Sequence, residues 1–146
     1  MFAVSLNNQV WDLWEKKDRS ADDDELMTHA AHASLYHWLQ VGKKVNHQRG
    51  EWMIAKCYML RGLKTEAMRH AKRCLDITQQ FPAENQDFDV AFAYELMARV
   101  SALVGDRAET AKYLAQAEAA GNAIAKPGDR TVFEQQFNAE PWYGAR

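Results

Sequence analysis

The chain has 146 residues, of which 47% are hydrophobic and 26% are charged, and its net charge is −2. This length and composition are those of one folded domain with a substantial core, and they exclude a disordered or fibrous protein. No apolar run approaches the roughly 18 residues that span a bilayer, and the first residues lack the basic and apolar segments of a secretory signal. Two cysteines are too few for a disulfide scaffold. We therefore expect a cytoplasmic protein with no membrane partner.

Apolar residues recur with a helical period along the whole chain, and no segment alternates as a strand would. Ser20, followed by a run of acidic residues, is a typical N-cap for the second helix. Glycines at positions 42, 62 and 105 are placed to end helices. We predict an all-α fold of about seven helices. The predicted helices cover residues 6–17, 20–41, 47–61, 64–80 and 88–104, a sixth stretch ending near 121–122, and a short seventh helix starting at Pro127.

One pattern occurs twice, 43 residues apart, at residues 54–67 and 97–110. Each copy consists of an apolar helix, a glycine turn and the start of a second helix. The identical pairs are Ala55/Ala98, Leu60/Leu103, Gly62/Gly105 and Glu66/Glu109. Such a unit is typical of helical repeat proteins, which present binding surfaces more often than active sites.

The small residues around these turns resemble those of tetratricopeptide repeats, although the spacing of 43 exceeds the usual period of about 34. The residues that carry the resemblance are Ala55, Tyr58, Gly62, Ala67, Ala71 and Cys74 in the first copy, and Ala98, Gly105, Ala111 and Ala115 in the second. The resemblance implies antiparallel hairpins stacked as a right-handed superhelix in one domain, 1–146. Within it we expect an N-terminal hairpin (1–43), two repeats (44–82 and 85–122), and a capping helix with a tail (127–146).

In a tetratricopeptide-like array the first helix of each hairpin lines the concave surface, which would place polar and aromatic residues of the third and fifth helices there. Tryptophan and arginine are the residue types that anchor protein interfaces. We therefore predict a non-catalytic module that binds a protein or peptide, with basic residues selecting acidic groups. An alternative is that Glu95 and Arg99 pair with each other and that Trp52 fills the core. The predicted binding residues are Arg49, Trp52, Lys56, Phe92, Glu95 and Arg99.

Charge is unevenly distributed along the chain. Residues 42–73 hold nine basic and two acidic residues, whereas both flanking segments are acidic. A basic block of this kind favours an acidic partner or a nucleic-acid backbone. The alternative is a solvated helix face whose charges are offset by the neighbouring hairpins. No nucleic-acid-binding motif accompanies the block, so we do not expect a nucleic acid to be the partner.

Two further hypotheses concern other residues. Glu25, His29, His32 and Tyr36 share one face of the second helix, where they could bind a small ligand or contribute metal ligands. A closed metal site needs more ligands than this face offers, so local packing is the favoured interpretation. The aromatic N-terminal helix and the Trp142-Tyr143 tail could instead be apolar edges through which the chain associates with itself as a homo-oligomer.

Motifs of enzymes and cofactor-binding proteins are missing. The sequence contains no glycine-rich dinucleotide or phosphate loop, no nucleophile elbow, no paired-cysteine motif and no zinc-protease motif. We therefore expect neither an enzymatic activity nor a cofactor.

Overall fold

The structure is a computed structural model that describes residues 2–146. In this range the chain forms seven α-helices and one short 3-10 turn, with no strand. This confirms the all-α prediction and the predicted number of helices. The helices are α1 (Phe2–Glu15), α2 (Ala21–Val41), α3 (Lys44–Leu60), α4 (Lys64–Gln80), α5 (Asp87–Val104), α6 (Arg107–Asn122) and α7 (Pro127–Phe137), and the 3-10 turn is Pro82–Glu84.

The ends of the helices follow from local side-chain chemistry. Ser20 and Asp23 form a reciprocal capping box at the start of α2, each side chain 3.1 Å from the other residue's backbone nitrogen. Gly62 and Gly105 adopt left-handed backbone angles, with φ of +71° and +86°, and thereby form the two predicted turns. The first helix begins at Phe2, four residues earlier than predicted, because its first turn is held by a hydrogen bond from Ser34 Oγ to the carbonyl of Ala3.

Consecutive helices pack side by side as three hairpins, α1–α2, α3–α4 and α5–α6, and α3 also packs against α5. The connecting loops are short, so the two helices of each hairpin run antiparallel. Helices α3 and α5 contain the most buried residues, so they are the central helices of the domain. None of the helices in residues 2–146 combines the length and apolar character of a bilayer span.

The core consists of three connected clusters of buried side chains. One joins α1, α2 and α3 around Val10 and Ile54, and a second joins α3, α4 and α5 around Ala71 and Leu96. The third joins α5, α6, α7 and the tail around Phe133. Both cysteines are buried and unpaired. Burial raises the pKa of the Cys57 thiol to about 12, so the thiol stays protonated near neutral pH.

The C-terminal tail docks against α3 and α5. Trp142 is buried, and the Arg99 guanidinium lies 4.1 Å from the centre of its ring. Arg99 donates hydrogen bonds to the carbonyls of Ala139 (3.0 Å) and Pro141 (2.7 Å). The hydroxyl of Tyr143 reaches the carbonyl of Met59 on α3 at 3.4 Å. The chain therefore holds its own C-terminal segment against this face.

Candidate binding site

A cleft of about 340 Å³ opens between helices α1, α3, α5 and α7. Its volume is at the lower end of the roughly 300–1,000 Å³ that ligand sites occupy. The cleft combines helices from both ends of the chain, so it exists only in the folded protein. Its apolar lining consists of Trp11, Trp52, Met53, Phe88, Phe92 and Val132.

Aromatic rings form a continuous row along this face of the molecule. Trp11 on α1 lies 6.1 Å from Trp52 on α3, which lies 6.1 Å from Phe92 on α5. Phe92 in turn contacts Phe133 on α7 at 5.2 Å between ring centres. The row continues through Phe137 to the buried tail residue Trp142. Edge-on and tilted packing of this kind fixes the rings in place, so the cleft is lined by rigid apolar surfaces.

The charges on the α3 and α5 walls of the cleft neutralise each other, whereas Asp129 on α7 also lines the cleft and forms no ion pair within residues 2–146. Arg49 donates two hydrogen bonds to the carboxylate of Asp89, from Nε at 2.8 Å and from a terminal nitrogen at 2.9 Å. Asp89 is buried, whereas the Arg49 side chain is about half exposed and lies over the ring of Phe88. A bidentate pair of this geometry is strong and directional. The pair therefore ties α3 to α5 and leaves little net charge on this side of the cleft.

Two polar atoms of α3 beside the cleft have no hydrogen-bond partner in the part of the chain that the structure describes. They are Gln48 Oε1 and Trp52 Nε1; both residues line the cleft, but these two atoms are themselves closed to solvent. The Gln48 side chain is only 2% exposed. Its amide nitrogen donates to Thr78 Oγ1 at 3.0 Å and to the carbonyl of Asp89 at 3.3 Å. One free acceptor and one free donor thus lie on successive turns of the same helix.

Of the six predicted binding residues, Arg49, Trp52 and Phe92 line the cleft, and Lys56 does not. Lys56 is 4% exposed, with its ammonium 5.1 Å from the ring centre of Trp14 and 5.3 Å from that of Trp52. Burial lowers the pKa of Lys56 to about 8, and the nearby Glu95 carboxylate opposes this only in part. Lys56 is therefore a buried amine beneath Trp52 and does not form part of an exposed acid-binding surface.

Glu95 and Arg99 do not reach solvent, which corrects the expectation that the polar stripe of α5 is exposed. They are 1% and 2% exposed and form an ion pair with each other. The tail packs over Arg99, which uses its remaining donors on the carbonyls of Gln136, at the end of α7, and of Ala139 and Pro141 in the tail. The alternative interpretation of the sequence, an internal pair four residues apart on one helix, is confirmed.

The residues on α2 that were predicted to bind a metal or a small ligand do not come together as one site. Glu25 and His29 are exposed and lie 3.7 Å apart, and Tyr36 is exposed as well. His32 instead approaches the hydroxyl of Tyr58 on α3 at 2.9 Å. Burial, reinforced by the positive charge of nearby His70, lowers the pKa of His32. Within residues 2–146 no group of three or more acidic, histidine or cysteine side chains is arranged to hold a metal ion.

The sequence did not indicate a buried acid–base pair that joins α3 and α4. His70 Nδ1 lies 2.6 Å from a Glu51 oxygen, and Arg73 donates to the other oxygen at 3.2 Å. Burial alone would raise the pKa of Glu51, but these hydrogen bonds outweigh it and hold the pKa below its ordinary value. Both residues belong to the hairpin core, so the pair fixes the packing of α4 on α3.

The basic block contributes mostly exposed, unpaired cations. Arg49 pairs with Asp89, and Arg73 pairs with Glu51 inside the block itself. Six of its other cations are exposed and make no ion pair within residues 2–146: Lys43, Lys44, Arg61, Lys64, Arg69 and Lys72. Apart from the Arg49–Asp89 pair, the acidic hairpins therefore do not offset the block by direct pairing.

Apolar exposure is greatest at the N-terminal hairpin. Phe2, Tyr36, Leu39 and Val41 are all exposed on α1 and α2. The self-association hypothesis placed Trp142 on an exposed apolar edge, but Trp142 is buried against the rest of the same chain. Self-association through the first hairpin remains a prediction.

The sequence did not single out Trp11, Gln48 or Val132 as site residues. A signal existed for Gln48, which precedes Trp52 by four residues and therefore shares its helix face. No local signal marks Trp11 or Val132, because their place depends on how α1 and α7 pack on the central helices. Comparison of the chain with models of protein families, with curated proteins and with solved structures found no match.

Proposed function

We propose that this chain is a tetratricopeptide-like module without catalytic activity, which binds a segment of another protein in the cleft between α1, α3, α5 and α7. The observation that carries the proposal is the open aromatic cleft lined by α1, α3, α5 and α7. Three residues selected from the sequence as interface residues, Arg49, Trp52 and Phe92, line it. Rigid aromatic walls around a small volume suit one or two apolar side chains of a partner.

A peptide is favoured over a free small molecule by the way this face already binds the tail. The tail is held by hydrogen bonds to its backbone carbonyls and by one buried aromatic side chain, Trp142. The aromatic row connects the position of Trp142 with the open cleft. A partner segment that continues along this row would use the same two kinds of contact.

The expected acidic character of the partner would be recognised away from the cleft. Arg49 is engaged by Asp89, and Lys56 and Arg99 are buried, so these three cations are poorly placed to select an acidic group. The exposed lysines and arginines at the ends of α3 and along α4 would serve this role, as an accessory surface for acidic residues that flank the bound segment. We propose that the interaction takes place in the cytoplasm, the location expected from the sequence.

Selection of peptides from a random phage-displayed library tests the proposal. Binding of the selected peptides is compared with that of a Val132→Arg variant and a matched Gln135→Arg control. Val132 is 52% exposed and lines the cleft, so arginine there obstructs the cleft without disturbing the core. Gln135 is exposed on the same helix and does not line the cleft.

We expect V132R to weaken peptide binding at least about tenfold, because it places a charge against apolar ligand groups, whereas Q135R leaves it unchanged. Equal binding by both variants, or a library that yields no specific peptide, would contradict the proposed function. Circular dichroism of both variants verifies that the fold is retained.

A further inference from the structure

The lining of the cleft carries one negative charge that the protein does not compensate. Its charged residues are Arg49, Asp89 and Asp129, which gives the lining a net charge of −1. Arg49 is engaged by Asp89 through two hydrogen bonds of 2.8 and 2.9 Å. Asp129 forms no ion pair within residues 2–146. An unpaired carboxylate at an apolar cleft favours an occupant with a positive charge.

Asp129 belongs to the face of α7 that forms one wall of the cleft. Asp129, Val132 and Gln136 all line the cleft, and their spacing of three and four residues places them on one side of the helix. Asp129 is only partly buried and Val132 is exposed, so this wall is open to solvent. An occupant of the cleft can therefore reach the carboxylate directly.

Two of the four aromatic residues at the cleft already hold a cation of the protein against their rings. The Arg49 guanidinium lies 5.3 Å from the ring centre of Phe88, and the Lys56 ammonium lies 5.3 Å from that of Trp52. The negative face of an aromatic ring attracts positive charge, most strongly in tryptophan. The rings of this site are thus already placed where cations bind them.

The other two aromatic residues at the cleft are Trp11 and Phe92. Neither ring contacts a cation in the part of the chain that the structure describes. Trp11 is 36% exposed, and Phe92 packs against Phe133 of α7 at 5.2 Å between ring centres. Two free aromatic surfaces therefore accompany the unpaired carboxylate of Asp129 in the same cleft.

The buried amine beneath Trp52 determines where in the cleft a cation is best placed. Lys56 does not line the cleft, and the nearby Glu95 carboxylate compensates its charge only in part. The remaining charge repels a cation close to Trp52, and this repulsion weakens with distance. The most favourable position for a cation is therefore at the α7 wall, beside Asp129.

We propose that the cleft binds the side chain of a lysine or arginine in the partner segment. The charged end pairs with Asp129, and the aliphatic stem lies along Trp11, Trp52 and Phe92. Lysine and arginine combine an apolar stem with a charged end, so they match both parts of the lining. This inference rests on the proposed function and specifies which type of residue enters the cleft.

Other side chains match the lining less well. An acidic side chain would meet the carboxylate of Asp129 while the only cation of the lining, Arg49, is engaged by Asp89. A wholly apolar side chain would fill the aromatic part but would remove water from Asp129 without replacing it, which is unfavourable for a charged group. The basic side chain alone gains from both the rings and the carboxylate.

Selection from a random phage-displayed library against three proteins tests the inference. Wild type is compared with Asp129→Asn, which removes the charge and keeps the shape, and with Glu134→Gln, which removes a negative charge from the same helix. Glu134 is exposed and does not line the cleft. Salt at physiological concentration screens charges more than about 8 Å apart, so E134Q controls for the net charge of the protein. Circular dichroism verifies that both variants are folded.

We expect the peptides selected by wild type to share one position enriched in lysine and arginine. The enrichment over the unselected library should be about two- to fivefold, the factor that a cation–π contact or an exposed ion pair supplies. Peptides selected by E134Q should show the same enrichment, and those selected by D129N should lose it.

A double-mutant cycle with the tightest wild-type peptide measures the contact itself. Norleucine replaces the basic residue at the shared position, which keeps an aliphatic stem and removes the charge. In calorimetric titrations D129N should weaken the basic peptide about 2- to 5-fold and change the affinity of the norleucine peptide less than about twofold. E134Q should change both affinities less than about twofold.

The outcomes separate this inference from the proposed function. Selected peptides without a shared basic position that are still blocked by V132R would overturn recognition of a cation and leave the proposed function in place. The same conclusion follows if D129N affects the basic and the norleucine peptide equally, or if E134Q has the effect of D129N. A library that yields no specific peptide would overturn both.

Discussion

Replacing Arg99 with methionine tests whether this residue acts inside the protein or at its surface. Arg99 and Glu95 are almost fully buried and paired. The R99M variant would leave the Glu95 carboxylate buried without its partner and would remove the donors that hold the tail. Breaking a buried ion pair from one side costs about 3–5 kcal/mol, a large part of the roughly 5–15 kcal/mol by which a domain is stable.

The double variant Glu95→Leu, Arg99→Met provides the comparison. With both charges removed, no uncompensated charge stays in the core, and apolar replacements of a buried pair are often close to neutral. We therefore expect the double variant to be more stable than R99M alone, although it too loses the hydrogen bonds to the tail.

Urea unfolding followed by far-ultraviolet circular dichroism measures the free energy of unfolding for the three proteins. A loss of less than about 1 kcal/mol in R99M would refute the structural role of Arg99. A double variant no more stable than R99M would show that the buried Glu95 charge is not the source of the cost.

Three other predictions concern buried charge, turns and pH. Because burial lowers the pKa of Lys56 from 10.5 to about 8, Lys56→Met should raise the free energy of unfolding by about 3 kcal/mol at neutral pH. That gain should shrink as the pH rises from 8 towards 10.5 in urea titrations, and a gain that does not depend on pH would contradict burial of the charged amine as its cause. Gly62→Ala and Gly105→Ala should each cost about 1–2 kcal/mol, because both glycines have positive φ and open space around them. Gly128→Ala, at an open helical position, should cost nothing measurable in the same assay, and equal effects in all three would refute the explanation. Burial, together with the charge of His70, lowers the pKa of His32 from 6.5, so the stability from its neutral form is complete above pH 6.5 and is lost as the pH falls towards the lowered value. His32→Gln should flatten the pH dependence of unfolding below 6.5, and parallel profiles for the two proteins would contradict this.

Local signals were sufficient to predict most of the helix boundaries. The N-cap at Ser20 and the glycines at positions 62 and 105 act within a few residues, so their effect is visible in the sequence. The predicted start of α1 is too late because Ala3 is stabilised by Ser34, a contact between distant residues. The start of α3 also differs, at Lys44 instead of residue 47, where the Asn46 side chain accepts a hydrogen bond from the backbone nitrogen of Lys43 at 2.9 Å. Tertiary and local contacts therefore both contribute to the boundaries that differ.

The candidate site was predictable only where one helix determines it. Arg49 and Trp52 share a face of α3, and that face was identified from the sequence. The burial of Glu95 and Arg99 depends on the tail, which lies some 40 residues away in sequence and gives no local sign of where it docks. The opposite wall of the cleft, on α7, was missed for the same reason.

The central claim is that a partner binds in the cleft between α1, α3, α5 and α7. The competing surface is the exposed basic face of α4. Chemical-shift mapping by NMR with the tightest phage-selected peptide distinguishes them directly. We predict that the largest shifts occur at Trp11, Trp52, Phe92 and Val132, and that V132R abolishes them. Shifts centred on Lys64, Arg69 and Lys72, with the cleft unperturbed, would contradict binding in the cleft.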